Sequence, residues 1–515
     1  MNKVHQILHK RIHIKAWTYS QLGFDIHQGE DMPVGDLCDD SRAVKQGDTF
    51  LCLPRATGQA CDFIQQAIHQ GATAVIVVGE RIPCALPCLH LSDMGVLGMF
   101  LRRYFDTMKT ATCCVGVTGT DGKTSVAWML RHALARHLGV AWSSGTLGWV
   151  RSSEETYDLG NTTPSLLTMH RLLAAAHQAQ MPAWVMEVSS HGIEQERLAG
   201  LPFDAAIWTT LGHDHLQDHG GFECYAGLKT RFMNQMMSNG GLAVVNAHQA
   251  ALVKRLEGSS WKGYMPKGAH LDVSIAGRLH QSDMMVWETL AVGQVGLQCH
   301  GQKVVVDDVP VGQFHAENLA AVAQVLKYQF KMDLPSIASC LHAMPAPYGR
   351  MEAVKNTANL QVYIDYAHTP EGLQACLESA RSLMQGASMQ ASLLVVFGCG
   401  GNRDVSKRAE MGGVAEAYAD EIWLTSDNPR DEEPENIMDD ILQGMHAKRA
   451  VHPCLDRGDA IADALQTMKV EDVLIIAGKG HENYIEIKGK RTAWHDATWV
   501  RQCLLGSEGQ EVRCS

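Results

Sequence analysis

The run GTDGKTS, Gly119 to Ser125, sets two glycines, a lysine and a hydroxyl pair directly behind the apolar stretch CCVGVT. Between a strand and a helix, such a loop turns backbone N–H groups and the helix dipole toward phosphate. Gly119, Thr120, Asp121, Gly122, Lys123, Thr124 and Ser125 are therefore the candidate nucleotide cradle, with Lys123 reaching the terminal phosphates and Thr124 facing Mg2+. The common pattern asks for a glycine five residues before Gly122, where Val117 stands, so the loop is a variant. A plain glycine turn with an exposed lysine has the same letters.

Two other strings invite chemistry. LTSDNPRDEEP, Leu424 to Pro434, crowds an Asp, an Asn and an Arg around a proline after an apolar run. Polar groups of both signs on a stiff turn suit a zwitterionic ligand, and they also suit an ordinary solvated strand end. TTLGHDHLQDHGG offers His213, Asp214, His215, Asp218 and His219 as metal ligands. It is one residue longer than the HxHxDH string of zinc hydrolases, and an inserted residue turns the later ligands away from a site of fixed geometry. Such a hydrolase also has no use for a phosphate loop upstream.

Composition bounds what these residues can serve. At 515 residues the chain exceeds one ordinary core. Its 44 basic and 56 acidic residues leave a net charge of −12, which argues against nucleic acid or an anionic membrane surface as partner. Apolar runs such as ATAVIVV, LLVVF and VLIIA are strand-sized, well short of the ~20 residues a bilayer span requires. The start, MNKVHQILHKRIHIKAW, lacks the apolar core and cleavage site of a signal peptide, so the expected location is the cytoplasm. The fifteen cysteines show no CxxC pair and read as reduced thiols used as small hydrophobes.

The elements that must position these groups alternate strand and helix, the pattern of α/β domains with largely parallel sheets. A helix after the phosphate loop is predicted from Val126, Met129, Leu130, Ala133, Leu134 and Leu138, with Gly139 placed to stop it. Domain boundaries are expected near Met108, before the buried strand that feeds the loop, and within MPAPYGRME. Beyond them, LQVYIDYAHTP, ASLLVVFGCGGNRD, DEIWLTSDNPR and EDVLIIAGKGHE each end in a polar or glycine-rich cluster. In an open parallel sheet these clusters share the carboxyl edge, where ligands bind.

In chain order, DDSRAVKQGDTFLCL, VTGTDGKTS, LGNTTPS, EVSSHGIEQERLAG, DHLQDHG, YAGLKTRF, YGRMEAV, IDYAHTPEGL, FGCGGNRDVSKRAEM, TSDNPRDEEP and AGKGHENY resemble the motifs of the Mur ligases over nearly the whole length. The resemblance implies the three-domain Mur ligase architecture: a uridine-nucleotide domain over 1–108, a central P-loop ATPase domain over 109–345, and a C-terminal Rossmann-like domain over 346–515 that brings the amino acid. It implies an ATP-dependent ligation of meso-diaminopimelate to UDP-N-acetylmuramoyl-L-alanyl-D-glutamate through an acyl phosphate, with Mg2+, by a monomer that binds no nucleic acid. A divergent relative adding another amino acid, such as L-lysine, or using another carboxylate, shares most of these motifs.

Carried over by position, Lys123 would hold the β and γ phosphates while Thr124 and Glu187 bind one Mg2+. His215 would serve a second with Lys229, carbamylated in this family; a carbamate is an anionic oxygen ligand where an ammonium repels metal. Arg350 and Asp365 match positions at the ATP phosphates and ribose, and Asn318 one near adenine. Ser41, Asn161, Thr162, Thr163, Ser189 and Arg197 match the UDP-substrate site. Arg403, Asp427, Asn428, Arg430, Gly478 and Glu482 match the amino-acid pocket, where Arg430 would grip the distal carboxylate and Glu482 the distal ammonium. The acidic run Asp431 to Glu433 reads as a solvated helix start. The chain departs from the family at His213, Gln217, Asp218, His315 and the string GQACDF.

Overall fold

The computed structural model describes residues 12, 14–24, 31–54, 60–152, 154–212, 220–257, 261–271, 281–384, 391–446 and 450–506. Two compact units emerge. One comprises Met1–Tyr264, His270–Met284 and Gln324–Met332, the other Met265–Ala269, Met285–Ala323 and Asp333–Ser515.

In the first unit, Leu37–Cys38, Thr49–Cys52, Ala74–Val78 and Cys88–Leu91 form a four-stranded parallel sheet in chain order. All five residues of Ala74–Val78 are buried, which is why that run is continuously apolar rather than alternating. This sheet is tied to the helix Leu166–Gln178 by the buried Arg171, which donates to the Leu37 carbonyl at 2.7 Å and pairs with Asp36 at 3.4 Å. A larger sheet sets Leu242–Asn246, Ala205–Trp208, Cys113–Thr118, Ala183–Glu187 and Trp142–Gly145 side by side and parallel. The strand that feeds the phosphate loop is thus central, paired on both edges. The predicted helix is present as Lys123–Leu138; it buries Val126, Met129, Leu130, Ala133 and Leu134 and ends at Gly139, whose φ of 82° a side chain would resist.

In the second unit, Met285–Ala291, Gln294–Cys299 and Gln302–Val306 pair antiparallel. A six-stranded sheet follows in the order Glu352–Ala353, Gln361–Asp365, Val473–Ala477, Leu393–Phe397, Glu421–Leu424 and Ala450–Pro453, parallel except for its first pair. Asp365 stands opposite Ala477 and Phe397 opposite Leu424, so the four polar clusters do leave the sheet on one edge. Among the described residues no disulfide joins any cysteine, and no helix is long and apolar enough to cross a membrane.

One expectation needs correction. Glu432 is not merely solvated: it pairs with the buried Arg408 at 2.9 Å and accepts the Asn402 N–H, while Asp431 accepts from the Asn402 side chain at 2.7 Å. Arg408 also pairs with Asp440 at 2.9 Å, because a buried guanidinium requires carboxylates around it. The acidic run therefore fastens the turn after Arg430 to the helix Ser406–Tyr418. Only Glu433, at the N-cap of Pro434–Leu442 and paired with Lys488, fits the helix-start reading.

Candidate active site

The phosphate loop leaves its strand through Gly119, whose φ is 153° and on which a Cβ would lie 1.9 Å from Thr209 Oγ1. Gly122, at φ 82°, then precedes the first helical residue, Lys123. Thr120 N–H donates to the Thr210 carbonyl at 2.9 Å and Asp121 N–H to Thr210 Oγ1 at 2.8 Å, which fixes the loop from the next strand's end. Lys123 Nζ folds back onto the carbonyls of Gly119 (3.0 Å) and Thr120 (2.7 Å). Lys229, on the helix Phe222–Ser238, is buried and donates to the same Gly119 carbonyl at 3.1 Å, with its Nζ 4.5 Å above the Tyr225 ring.

Glu187, the last residue of its strand, sits beside this loop. Thr124 Oγ1 donates to its Oε2 at 2.9 Å, and Thr146 N–H donates to its Oε1 at 2.8 Å. Gly145 lets the carboxylate in, since a Cβ there would stand 2.1 Å from Oε1. Burial raises the Glu187 pKa, against the pull of Lys123 and the Thr146 and Thr124 donors. A buried carboxylate next to a hydroxyl oxygen is a hard-donor pair of the kind that suits Mg2+. His215, with His213, Gln217 and Asp218, lies outside the described residues.

Four of the matched UDP-substrate residues, Thr162, Thr163, Ser189 and Arg197, gather beside Glu187. Thr163 Oγ1 donates to the Glu187 carbonyl and accepts from Ser189 N–H, each at 2.9 Å. Arg197 Nη1 donates to the Thr163 carbonyl at 2.6 Å, and its other edge grips Gln195 Oε1 at 2.7 and 3.0 Å. Thr162 and Thr146 hydroxyls are 3.1 Å apart, and Asn161 is exposed at the turn's start. Ser41 is apart from this group, on the four-stranded sheet's side, its hydroxyl donating to Gln66 at 2.7 Å. Thr146 and Gln195 were not singled out by sequence. Thr146 carries only a glycine-flanked turn as signal, and Gln195 lies inside a quoted motif.

The second unit holds the remaining groups. Asp365 is buried with both carboxylate oxygens engaged, by Met351 N–H at 2.7 Å and Ala367 N–H at 2.8 Å; burial raises its pKa although the Arg350 guanidinium opposes this. Arg350 stacks over the Tyr366 ring at 4.6 Å. Gly349, at φ 65°, lies so close to Gly480 and His481 that a Cβ would meet His481 N at 2.2 Å. Asn318 is buried on the helix Gln313–Tyr328, one turn beyond the fully buried His315. Burial pushes the pKa of the His315 imidazole down to about 3, although the Arg350 backbone lies close enough to favour the charged form.

At the sheet edge, Gly401 N–H donates to the Asn428 carbonyl at 2.9 Å, and Asn428 Nδ2 donates to Glu482 Oε2 at 2.8 Å. Arg430 adopts a left-handed backbone (φ 52°) and gives Nη1 to the Gly401 carbonyl at 2.7 Å. Gly478 admits Asp427, since a Cβ there would lie 2.7 Å from Oδ2, and Gly400 borders both Arg430 and Arg403. All six matched amino-acid-pocket residues thus gather around one edge, with carboxylates and guanidiniums interleaved.

Comparison with known proteins identifies the family. The Mur ligase middle domain matches residues 117–326, and the Mur ligase, glutamate ligase domain matches 349–480. A UDP-N-acetylmuramoyl-L-alanyl-D-glutamate–2,6-diaminopimelate ligase of Xylella fastidiosa (strain 9a5c) is 36% identical over 509 residues, covering 97% of this chain and 99% of its own. The chain belongs to the Mur ligase family. A relative of the same description from Chlorobium phaeobacteroides is 33% identical over 93% of this chain and 94% of its own. Among solved structures, a diaminopimelate ligase of that description superposes with a TM-score of 0.68 at 26% identity, covering 96% of this chain and all of that one. MurF of Thermotoga maritima, in complex with ADP, shares the Mur ligase fold at a TM-score of 0.60 and 16% identity, over 92% and 97% of the two chains.

Proposed function

We propose that this chain uses ATP to join meso-diaminopimelate to UDP-N-acetylmuramoyl-L-alanyl-D-glutamate, releasing ADP and phosphate, in cytoplasmic peptidoglycan precursor synthesis. The observation that carries this reading is the gathering of Arg403, Asp427, Asn428, Arg430 and Glu482 at one sheet edge, a charge pattern matching a substrate with two ammonium and two carboxylate groups. Residues 1–108 bind the UDP substrate, 109–345 the nucleotide, and 346–515 the amino acid; the enzyme works as a monomer.

A carboxylate resists amine attack at neutral pH, so it is first phosphorylated. One oxygen of the dipeptide's terminal carboxylate attacks the γ phosphorus, the bond to the β-phosphate oxygen breaks, and ADP departs. The amine then attacks the acyl carbon, loses a proton, and expels phosphate as the amide forms. Lys123 and the loop N–H groups hold the transferring phosphoryl group where negative charge develops. Thr162, Thr163, Ser189 and Arg197, with Ser41 and Asn161, orient the UDP substrate next to that loop. Arg350, Asp365 and Asn318 hold the nucleotide's phosphate, ribose and base. Thr124 and Glu187, with His215 and a carbamylated Lys229, would hold Mg2+, which neutralises phosphate charge when bound. As a plain ammonium, Lys229 would repel that ion.

The test is phosphate release by the purified protein with ATP, Mg2+ and the UDP-dipeptide, with meso-diaminopimelate, L-lysine or no amino acid in parallel. Release only with diaminopimelate, and a tripeptide product by mass, supports the proposal. Release with lysine instead keeps the ligase chemistry and the sheet edge as the amino-acid site, and overturns diaminopimelate as the amine. Silence in every tube overturns both.

A further inference from the structure

Lys479 lies between Gly478 and Glu482 and is fully buried. A buried ammonium is costly unless its hydrogen bonds are met. Its Nζ donates to Asn428 Oδ1 at 3.0 Å and to Glu482 Oε2 at 3.2 Å, with the Tyr484 ring centroid 5.7 Å away. Glu486 N–H donates to the same Asn428 oxygen at 2.9 Å.

These contacts settle a question that shape alone leaves open. The two ends of an Asn amide are nearly the same size, and only the hydrogen-bond partners decide which end is oxygen. Lys479 and Glu486 N–H can only donate, so the end they meet must be Oδ1. The NH2 end is then committed to Glu482 Oε2 at 2.8 Å. Glu482 is in turn held through that one oxygen by two donors, Lys479 and Asn428, and its Oε1 is engaged by neither.

We propose that Lys479 is a positioning residue of the amino-acid pocket: it fixes the polarity of the Asn428 amide and, through Asn428 and directly, the placement of the Glu482 carboxylate that receives the substrate ammonium. The proposal rests on the assignment of this sheet edge as the amino-acid site. An alternative role, a buried ion pair that only stabilises the fold, makes different predictions. A positioning residue acts on one substrate and through its partner; a purely structural residue affects all substrates alike.

The experiment compares wild type, Lys479→Met, Asn428→Ala and the double variant, measuring KM for the amino acid, KM for ATP, kcat and melting temperature. The amine used is whichever of meso-diaminopimelate and L-lysine the wild type turns over better, so a preference for lysine corrects the substrate assignment without touching this inference. Lys479→Met is expected to raise KM for the amine at least tenfold while KM for ATP stays within twofold. The double variant is expected to lose less than the two single losses combined, because coupled residues are not additive. Lys479→Gln, which keeps a donor toward Asn428 without the charge, is expected to recover part of the loss and carries the same comparison if the Met variant does not fold. Equal rises in both KM values, or additive losses in the double variant, overturn the inference.

Discussion

Lys123 and Lys229 both donate to the carbonyl oxygen of Gly119, at 3.0 and 3.1 Å. Two ammonium groups sharing one acceptor stand within roughly 6 Å of each other, and at an effective dielectric of about 20 their pairwise repulsion is about 3 kcal/mol, opposed by the Glu187 carboxylate that Lys123 also acts on. Lys229 is buried, so little water screens it. An anion between them, or conversion of one amine to an anion, would turn this repulsion into attraction. Phosphate bound at the loop supplies the first; carbamylation of Lys229 supplies the second.

On the proposed function, a carbamate is expected on Lys229. Protein equilibrated with 13C-bicarbonate should show a carbamate carbon signal by NMR that is missing from Lys229→Ala, and that variant should lose at least about 100-fold in turnover. Lys229→Arg, which keeps the positive charge and cannot be carbamylated, should be equally inactive. Activity retained in the Arg variant would mean that the cation itself is the functional form.

Lys123→Ala removes the loop's cation and should abolish ADP formation while leaving the helix Lys123–Leu138 intact, because its side chain folds back onto the loop carbonyls of Gly119 and Thr120. The expected loss in kcat is at least about 100-fold, the scale for removing a group that stabilises developing charge. Far-UV circular dichroism and melting temperature unchanged beside the lost activity would locate the effect in chemistry. Substantial turnover would show that the loop N–H groups suffice without the lysine.

Glu187 offers a pH test. Its pKa in the folded protein is raised from the ordinary 4.5, chiefly by burial, so the native state holds this proton more tightly than the unfolded chain. Stability from this group is then greatest below about 4.5 and declines as pH rises toward the raised value, above which the buried charge is a constant burden. Glu187→Gln removes that burden. The variant should melt a few degrees above wild type at pH 7 in the absence of Mg2+, and the gap should close as pH falls toward 4.5. Turnover should be lost. Added Mg2+ should raise the melting temperature of wild type and not of the variant; a gap independent of pH would assign the difference to packing.

How far the sequence led depended on whether a signal was local. The helix after the phosphate loop was legible because its apolar spacing and terminal glycine lie within one segment, and the four clusters at the second unit's sheet edge followed from strand-sized runs each ending in polar residues. Lys229 could be suspected from its motif, but not its convergence with Lys123 on one carbonyl, which depends on how the helix Phe222–Ser238 packs. The same holds for Glu432, whose partner Arg408 stands a helix away, and for Thr146, which touches Glu187 only because a glycine admits the carboxylate. Lys479 was visible inside a quoted motif, yet burial and donor count, which assign its role, are tertiary facts.

Arg430 joins an unfavourable backbone to a binding task. At φ 52° it sits where an L-residue costs about 1–2 kcal/mol relative to ordinary backbone, and its Nη1 is already given to the Gly401 carbonyl. The opposite edge of the guanidinium, Nε and Nη2, is the geometry that takes a carboxylate bidentately. Arg430→Ala should raise KM for diaminopimelate about 10- to 100-fold, the range for losing charge-assisted hydrogen bonds, with KM for ATP nearly unchanged. Arg430→Lys keeps the charge but not the fork, so it should recover only part of that loss. Arg430→Gly should separate the two roles: glycine tolerates the left-handed backbone, so stability should hold or rise slightly while the KM defect matches that of Ala. A Gly variant that binds diaminopimelate normally would remove the side chain from the pocket and leave the turn itself as its contribution.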